Sequence, residues 1–362
     1  MPMAVPGAVT RVLRTMMGRD SAVTIRWRFD PALWSWFRKF ASHCREAPMM
    51  RSARGRHALL KASMELYRQL VAEEGLDCEW QDQGLLLVYK SQKDFDEFGK
   101  TATVLEREFG ITATSFPGDE VSRLEPTLRL GLAGGWLCPG DAHVRPGKLL
   151  ANLRRAIEQQ GVVVEEGVTV HTLSIEHKQL RSVETCRGSL AADVVVLATG
   201  AEAPTFAKPL RCRIPIQPGK GYSLTLPRPR NAPRIPMILE AHHVAITPFV
   251  DSLRIGSTME FAGYDRSLNP KRLALLMRSA QEHLLDVPLD GTAEQWAGLR
   301  PMIYDGLPCI DRAPGAENVI VAAGNGIIGL ATAPATGKLA AQLASNTEPF
   351  IDPKPYSLRR FL

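Results

Sequence analysis

The hexapeptide GNGIIG, Gly324 to Gly329, spells G-x-G-x-x-G. An apolar, β-branched run precedes it and an alanine-rich run at helical spacing comes after it, so the pattern predicts strand, glycine loop, helix. That is the context asked of a loop that cradles a dinucleotide pyrophosphate, with glycines for close backbone approach and a helix N-terminus for the phosphates. A dinucleotide fingerprint also needs a second strand, ending in an acid about 20 residues on, for the ribose hydroxyls. Here the helix runs out into NTEPFIDPKPYSLRRFL. Its prolines and its lack of an apolar run leave no such strand, and Glu348 follows none. The loop keeps the physical ability to offer free backbone N–H groups to a polar ligand, but the fingerprint reading fails. No other G-x-G-x-x-G stands in the chain, and residues 1–60 hold only Gly7, Gly18 and Gly55.

Other chemistry-bearing types are sparse. Cys44, Cys78, Cys138, Cys186, Cys212 and Cys309 form no C-x-x-C pair, which reads as free thiols rather than a zinc or redox site. His242 and His243 fall in a predicted strand and read as structural. No metal-ligand spacing is present, so no metal is expected.

The chain has 362 residues, enough for about two domains. Apolar content of 45% and charged content of 23% mark an ordinary globular protein with a large core. The net charge of +6 is scattered along the chain, which gives no nucleic-acid signature and suits an anionic cofactor or substrate. The longest uncharged run, residues 319–337, carries glycines, a proline and polar residues and reads as a folded loop, not a span. Membrane association is therefore expected to be peripheral at most, with a cytoplasmic location or one at the inner-membrane surface. Arg11, Arg14 and Arg19 without an acid among the first 19 residues have the charge of a transit peptide, but the serine enrichment and cleavage site are lacking.

Residues 30–74 read as helices carrying Trp34, Phe37, Phe40, Leu59, Leu60, Met64, Tyr67 and Leu70 on an apolar stripe. Then come a strand at 84–90, a helix at 92–109, a short helix at 117–126 and a helix at 148–161. Residues 162–186 read as three or four short strands. The run LAADVVVLATGA (190–201) reads as a strand buried on both faces. Residues 213–262 read as antiparallel strands, followed by a helix at 269–285 and a strand at 318–323. Segments of α/β nucleotide-domain style thus bracket a β-rich segment.

Several stretches together resemble the D-amino-acid oxidase superfamily of FAD enzymes. They are DVVVLATGAEA (193–203), IQPGKGYSLT (216–225), AHHVAITPFVDSLRIGSTMEFAGYD (241–265), WAGLRPMIYDGLPCID (296–311), NVIVAAGNGIIGLATAPATG (318–337) and FDPALWSWFRKF (29–40), in the family's order and over nearly the whole chain. The bacterial D-amino-acid dehydrogenase branch is most similar, with glycine oxidase a cousin. The resemblance implies a Rossmann-like FAD domain, incomplete at its N-terminus, plus an antiparallel-sheet substrate domain, a combination of α/β and α+β. The expected division is a helical segment at 1–75, a substrate domain at 76–140 and 208–300, and an FAD domain at 141–207 and 301–350.

The resemblance also implies roles. Arg300 would clamp a substrate carboxylate, a task suited to a planar, bidentate fork. Tyr222 and Tyr304 would stand at the pocket. FAD would meet Val170 at its adenine and Thr199 and Gly200 at a strand end. Gly298, Gly324, Asn325, Gly329, Leu330 and Ala331 would face the flavin. The implied reaction is oxidation of a D-amino acid to an oxo acid and ammonia, with electrons passing to a quinone or other carrier. Alternatives are an FAD oxidase of glycine- or sarcosine-type amines, and a truncated homologue that binds no FAD. Asn325 departs from the family's histidine, Ile327 from an arginine of glycine oxidase, and His143-Val-Arg145-Pro from the usual His-x-Asp-Pro. The family's opening βαβ unit with its glycine fingerprint is expected upstream of Met1, as a mis-called start.

Overall fold

The computed structural model describes residues 4–9, 21–289 and 294–362. Of the basic start, Arg11, Arg14 and Arg19 lie outside the described residues.

A short strand β1 (Val23–Ile25) leads into helices α1 (Pro31–His43) and α2 (Glu46–Glu73). Asp30 caps α1 by accepting from the Leu33 N–H at 3.0 Å, and Pro31 occupies the first turn, where its missing N–H costs nothing. Then come β2 (Leu85–Tyr89), α3 (Gln92–Phe109), β3 (Thr114–Pro117), α4 (Glu120–Leu124), β4 (Gly134–Cys138) and α5 (Pro146–Gln159). Ser91 caps α3, and Gly110 ends it in the left-handed conformation that favours glycine. The next strands are β5 (Val170–Glu176), β6 (Gln179–Thr185), β7 (Gly188–Leu190) and β8 (Val195–Leu197). They precede β9 (Ile216–Pro227), β10 (Met237–Leu239), β11 (Val244–Pro248) and β12 (Ser252–Phe261). The chain closes with α6 (Pro270–His283), β13 (Glu294–Ile303), β14 (Cys309–Ala313), β15 (Ala316–Ala323) and α7 (Gly329–Ala344).

Among the described residues these strands form one large sheet and two of three strands. The large sheet runs β13-β9-β12-β11-β10-β2-β4-β3, with β1 beside β12. Most pairs are antiparallel; β10–β2 and β1–β12 are parallel. One face packs on α6 through Tyr222, Leu224, Met237, Ile255 and Leu276. A second core gathers Trp36, Leu197, Phe206, Met259, Met302 and Val321. A third joins α2 to α7 through Leu59, Ile320, Ala335 and Leu339.

Three expectations need correction. The stretch 190–201 gives a strand of only three residues, with Val194 40% and Val196 45% exposed. It is not buried on both faces, because among the described residues β8 pairs with β15 alone and its outer side borders a groove. Val162, Val163 and Val164 join no strand and stay exposed. His242 and His243 lie in the hairpin turn between β10 and β11, not in a strand: His243 has a φ of 51° and sits 3.1 Å from Glu240. The absence of a second strand after α7 holds; residues 345–362 carry only short turns of 3₁₀ helix.

Candidate functional site

The glycine loop links β15 to α7. Gly324 has a φ of 90° and Gly326 a φ of 60°, both in the region that favours glycine. A Cβ on Gly324 would also drive into the Ile303 side chain. Gly329 has a helical φ of −53° and begins α7. Conformation therefore demands the first two glycines of GNGIIG and not the third. No side chain caps the start of α7. The Asn325 side chain donates to Thr332 Oγ1 and Thr336 Oγ1, each at 2.9 Å, tying the loop to the first turns of the helix. Thr332 and Thr336 carried no signal in sequence beyond their i, i+4 spacing.

A groove of about 450 Å³ lies along this loop. Its walls are small: Ala198, Gly200, Ala322, Gly324, Gly329, Ala333 and Gly337, with Pro301 beside Arg300. Leu330 and Ala331 are exposed on the start of α7, and the Leu330 carbonyl accepts from the Tyr67 hydroxyl at 2.7 Å. Thr199 is exposed between groove residues Ala198 and Gly200. Val170 stands at the start of β5, 37% exposed, and does not line the groove. A narrower crevice on the other side of Gly324 and Asn325 is lined by Trp36, Arg56, Met302 and Tyr304.

Arg300 is organised by glycines on the adjacent strand. Register sets Arg300 opposite Gly219 and Gly298 opposite Gly221, all on one face. The guanidinium lies over Gly221, where a Cβ would fall inside it. Its Nη1 donates to the Thr258 carbonyl at 2.7 Å. Among the described residues no carboxylate pairs with it, and burial pulls its pKa down to about 10. Trp296 folds its indole over Gly298 in the same way. Met259 and Met302 cover Gly219, and Met302 Sδ lies 3.7 Å from where a Cβ on Gly326 would stand. Trp296, Arg300, Met259 and Met302 thus file along one face toward the glycine loop. Of these neighbours the sequence reading named only Gly298; the spacing of Gly219 and Gly221 was the available signal for the rest.

Tyr222 stands elsewhere. It is paired with Ser257 on β12 and Ala297 on β13, on the opposite face of the sheet from Arg300. Its hydroxyl donates to Glu260, and burial first, then that bond, push its pKa up. The structure does not bring Tyr222 and Arg300 together in one pocket. Tyr304 is buried against Phe361 and His43, with Lys39 Nζ 5.3 Å from its ring centroid, and lines the crevice beside Asn325. Burial raises its pKa to about 12.

The site fits a flavin dinucleotide. Small residues leave a long open groove, glycines admit close backbone approach, and an uncapped helix start favours negative charge. No cluster of His, Cys, Asp or Glu suited to a metal occurs among the described residues.

Comparison with known proteins agrees. The family described as FAD dependent oxidoreductase, DAO, matches residues 32–343. A protein of Methylobacterium nodulans named D-amino acid dehydrogenase is 33% identical over 100% of this chain and 87% of its own length. One of the same name from Paramagnetospirillum magneticum is 30% identical over 99% of this chain and 86% of its own. Glycine oxidase from Geobacillus kaustophilus superposes with a TM-score of 0.78 at 26% identity, covering 90% of this chain and 86% of that one. L-proline dehydrogenase from P. horikoshii shares the fold, with a TM-score of 0.73 at 21% identity over 84% and 82% of the two chains. The mixed α/β fold, the groove along the glycine loop and the family match lead to one statement: this chain belongs to the DAO family of FAD-dependent oxidoreductases.

Proposed function

We propose that this enzyme oxidatively deaminates D-amino acids. The observation that carries the reading is Arg300, a half-buried guanidinium with no described carboxylate partner, seated on Gly221 and fixed by the Thr258 carbonyl. A buried cation left without a counter-charge costs free energy, which a bound substrate carboxylate would offset. Arg300 would take that carboxylate bidentately, on the face of β13 that leads to the glycine loop. The chemistry FAD supplies when bound is acceptance of two electrons as hydride from Cα, after which water hydrolyses the imino acid to a 2-oxo acid and ammonia. The start of α7, with Gly329, Leu330 and Ala331, would stabilise negative charge at the cofactor. Gly200 and Thr199 would border its dinucleotide portion. Met302 and Trp296 would wall the substrate from water on the Arg300 face.

Two relatives named D-amino acid dehydrogenase support this substrate class; the electrons would then pass on to a quinone or other carrier. The likeness to glycine oxidase supports a second reading, oxidation of glycine-type amines by oxygen. Among the described residues no helix is long and apolar enough to cross a membrane. Trp27 and Phe29, 83% and 98% exposed, would suit peripheral contact with a membrane surface. The division into a substrate unit on the large sheet and an FAD unit around β15 and α7 belongs to the same proposal.

The test is direct. Purified, FAD-supplemented protein should show flavin absorbance bands and reduce an artificial dye with D-alanine. Oxygen uptake with glycine or sarcosine and none of the dye reaction would favour the second reading. Folded protein that stays colourless after supplementation would overturn both.

A further inference from the structure

The strand β12 carries one extra residue against β9. Ser257 pairs with Tyr222 and Glu260 with Lys220, so three steps on β12 match two on β9. This β-bulge lies opposite Gly221, and its residues Ser257 and Thr258 take φ values of 111° and 55°. Non-glycine residues persist in such conformations only where their surroundings over-determine them. The extra residue also inverts the facing of the strand. Met259 and the Thr258 carbonyl thereby meet Arg300, while Glu260 goes to the face of Tyr222.

On that far face stands a buried polar cluster. Tyr222 and Lys220 are each 1% exposed and Glu260 is 9% exposed. The Tyr222 hydroxyl, opposite the first residue of the bulge, donates to the Glu260 carboxylate at its last. Lys220 Nζ lies 3.6 Å from Glu260, 3.4 Å from Asp265 and donates to the Ser267 carbonyl at 3.0 Å. Its ammonium also stands 5.4 Å from the centroid of the Tyr222 ring. A hydrogen-bonded pair thus spans the bulge from end to end.

We infer that Tyr222 and Glu260, backed by Lys220, act as positioning residues: they staple the bulge from behind and so hold the Thr258 carbonyl where it fixes Arg300. This rests on the reading of Arg300 as the carboxylate clamp. Neither residue touches the substrate face. Their effect on the reaction passes through about one hydrogen bond to the guanidinium, so it falls on substrate binding rather than on the chemical step.

The experiment uses FAD-loaded protein and benzoate as carboxylate probe, read by flavin absorbance, with kcat and KM for D-alanine and thermal stability measured alongside. Tyr222→Phe should raise the benzoate Kd and the D-alanine KM about tenfold, the scale of one buried hydrogen bond, with kcat little changed. Glu260→Gln keeps an acceptor for the Tyr222 hydroxyl but drops the charge facing Lys220, and should give a smaller rise. Variants that fold with wild-type Kd and KM but lower Tm would overturn the inference, since the cluster would then be structural only. Should one variant fail to fold, the other decides by the same criterion. Arg300→Ala separates the two levels: unchanged benzoate binding there sinks the clamp itself, whereas loss there with no effect in Tyr222→Phe and Glu260→Gln sinks only the positioning.

Discussion

The Arg300 guanidinium lies flat over the Cα of Gly221, on the neighbouring strand, in space that a single methyl group would fill. Gly221→Ala is therefore predicted to displace the guanidinium from its seat. KM for D-alanine should rise about tenfold or more, while the large sheet, which tolerates alanine in strands, keeps its fold by circular dichroism. An unchanged KM would mean that the seat is irrelevant to binding.

The charge of Arg300 sets an alkaline limit. Burial lowers its pKa to about 10, so the cation is fully present below that pH and is lost as pH rises through it. Benzoate stays ionised over this range. Its Kd should hold steady at neutral pH and climb above about pH 10. A Kd flat through pH 11 in protein that remains folded would contradict the assignment.

At the other end of the file, Gly324→Ala meets two costs at once: a φ of 90° and a collision with Ile303. Left-handed strain costs on the order of 1–3 kcal/mol. Thermal stability should drop by several degrees, and the flavin content of purified protein should fall with it, because the loop lines the groove. Gly329→Ala, at a helical φ with its nearest neighbour 3.6 Å away, should be far milder in stability.

His283 is fully buried, with Nδ1 2.8 Å from the Ser279 carbonyl and Nε2 unpartnered among the described residues. Burial holds its pKa down at about 4, against roughly 6.5 in an unfolded chain. Between those values the unfolded chain binds a proton that the folded one refuses, so stability falls as pH drops from about 6.5 toward 4. Comparing Tm at pH 7 and pH 5 should show a smaller acid loss in His283→Gln than in wild type. Equal losses would show that other groups carry the acid sensitivity.

The sequence by itself determined the order of most elements, because hydrophobic period, caps and glycine stops are local signals; β1, β3, β4, β13 and β14 carried no such signal. Asp30 with Pro31, Ser91 with Gly110 and the apolar run before Gly324 each specify their element with no help from distant residues. Resemblance added the family, the cofactor class and Arg300. Tertiary structure decided what those residues face. One extra residue in β12 inverts the strand and puts Glu260 with Tyr222 behind the sheet, while Met259 joins Arg300 in front. A sequence pattern of period two cannot show such an inversion, because the bulge is defined only by pairing with β9. In the same way Val194 and Val196 read as buried from their apolarity alone, yet their exposure depends on which strands lie beside β8, a long-range property that no local run encodes.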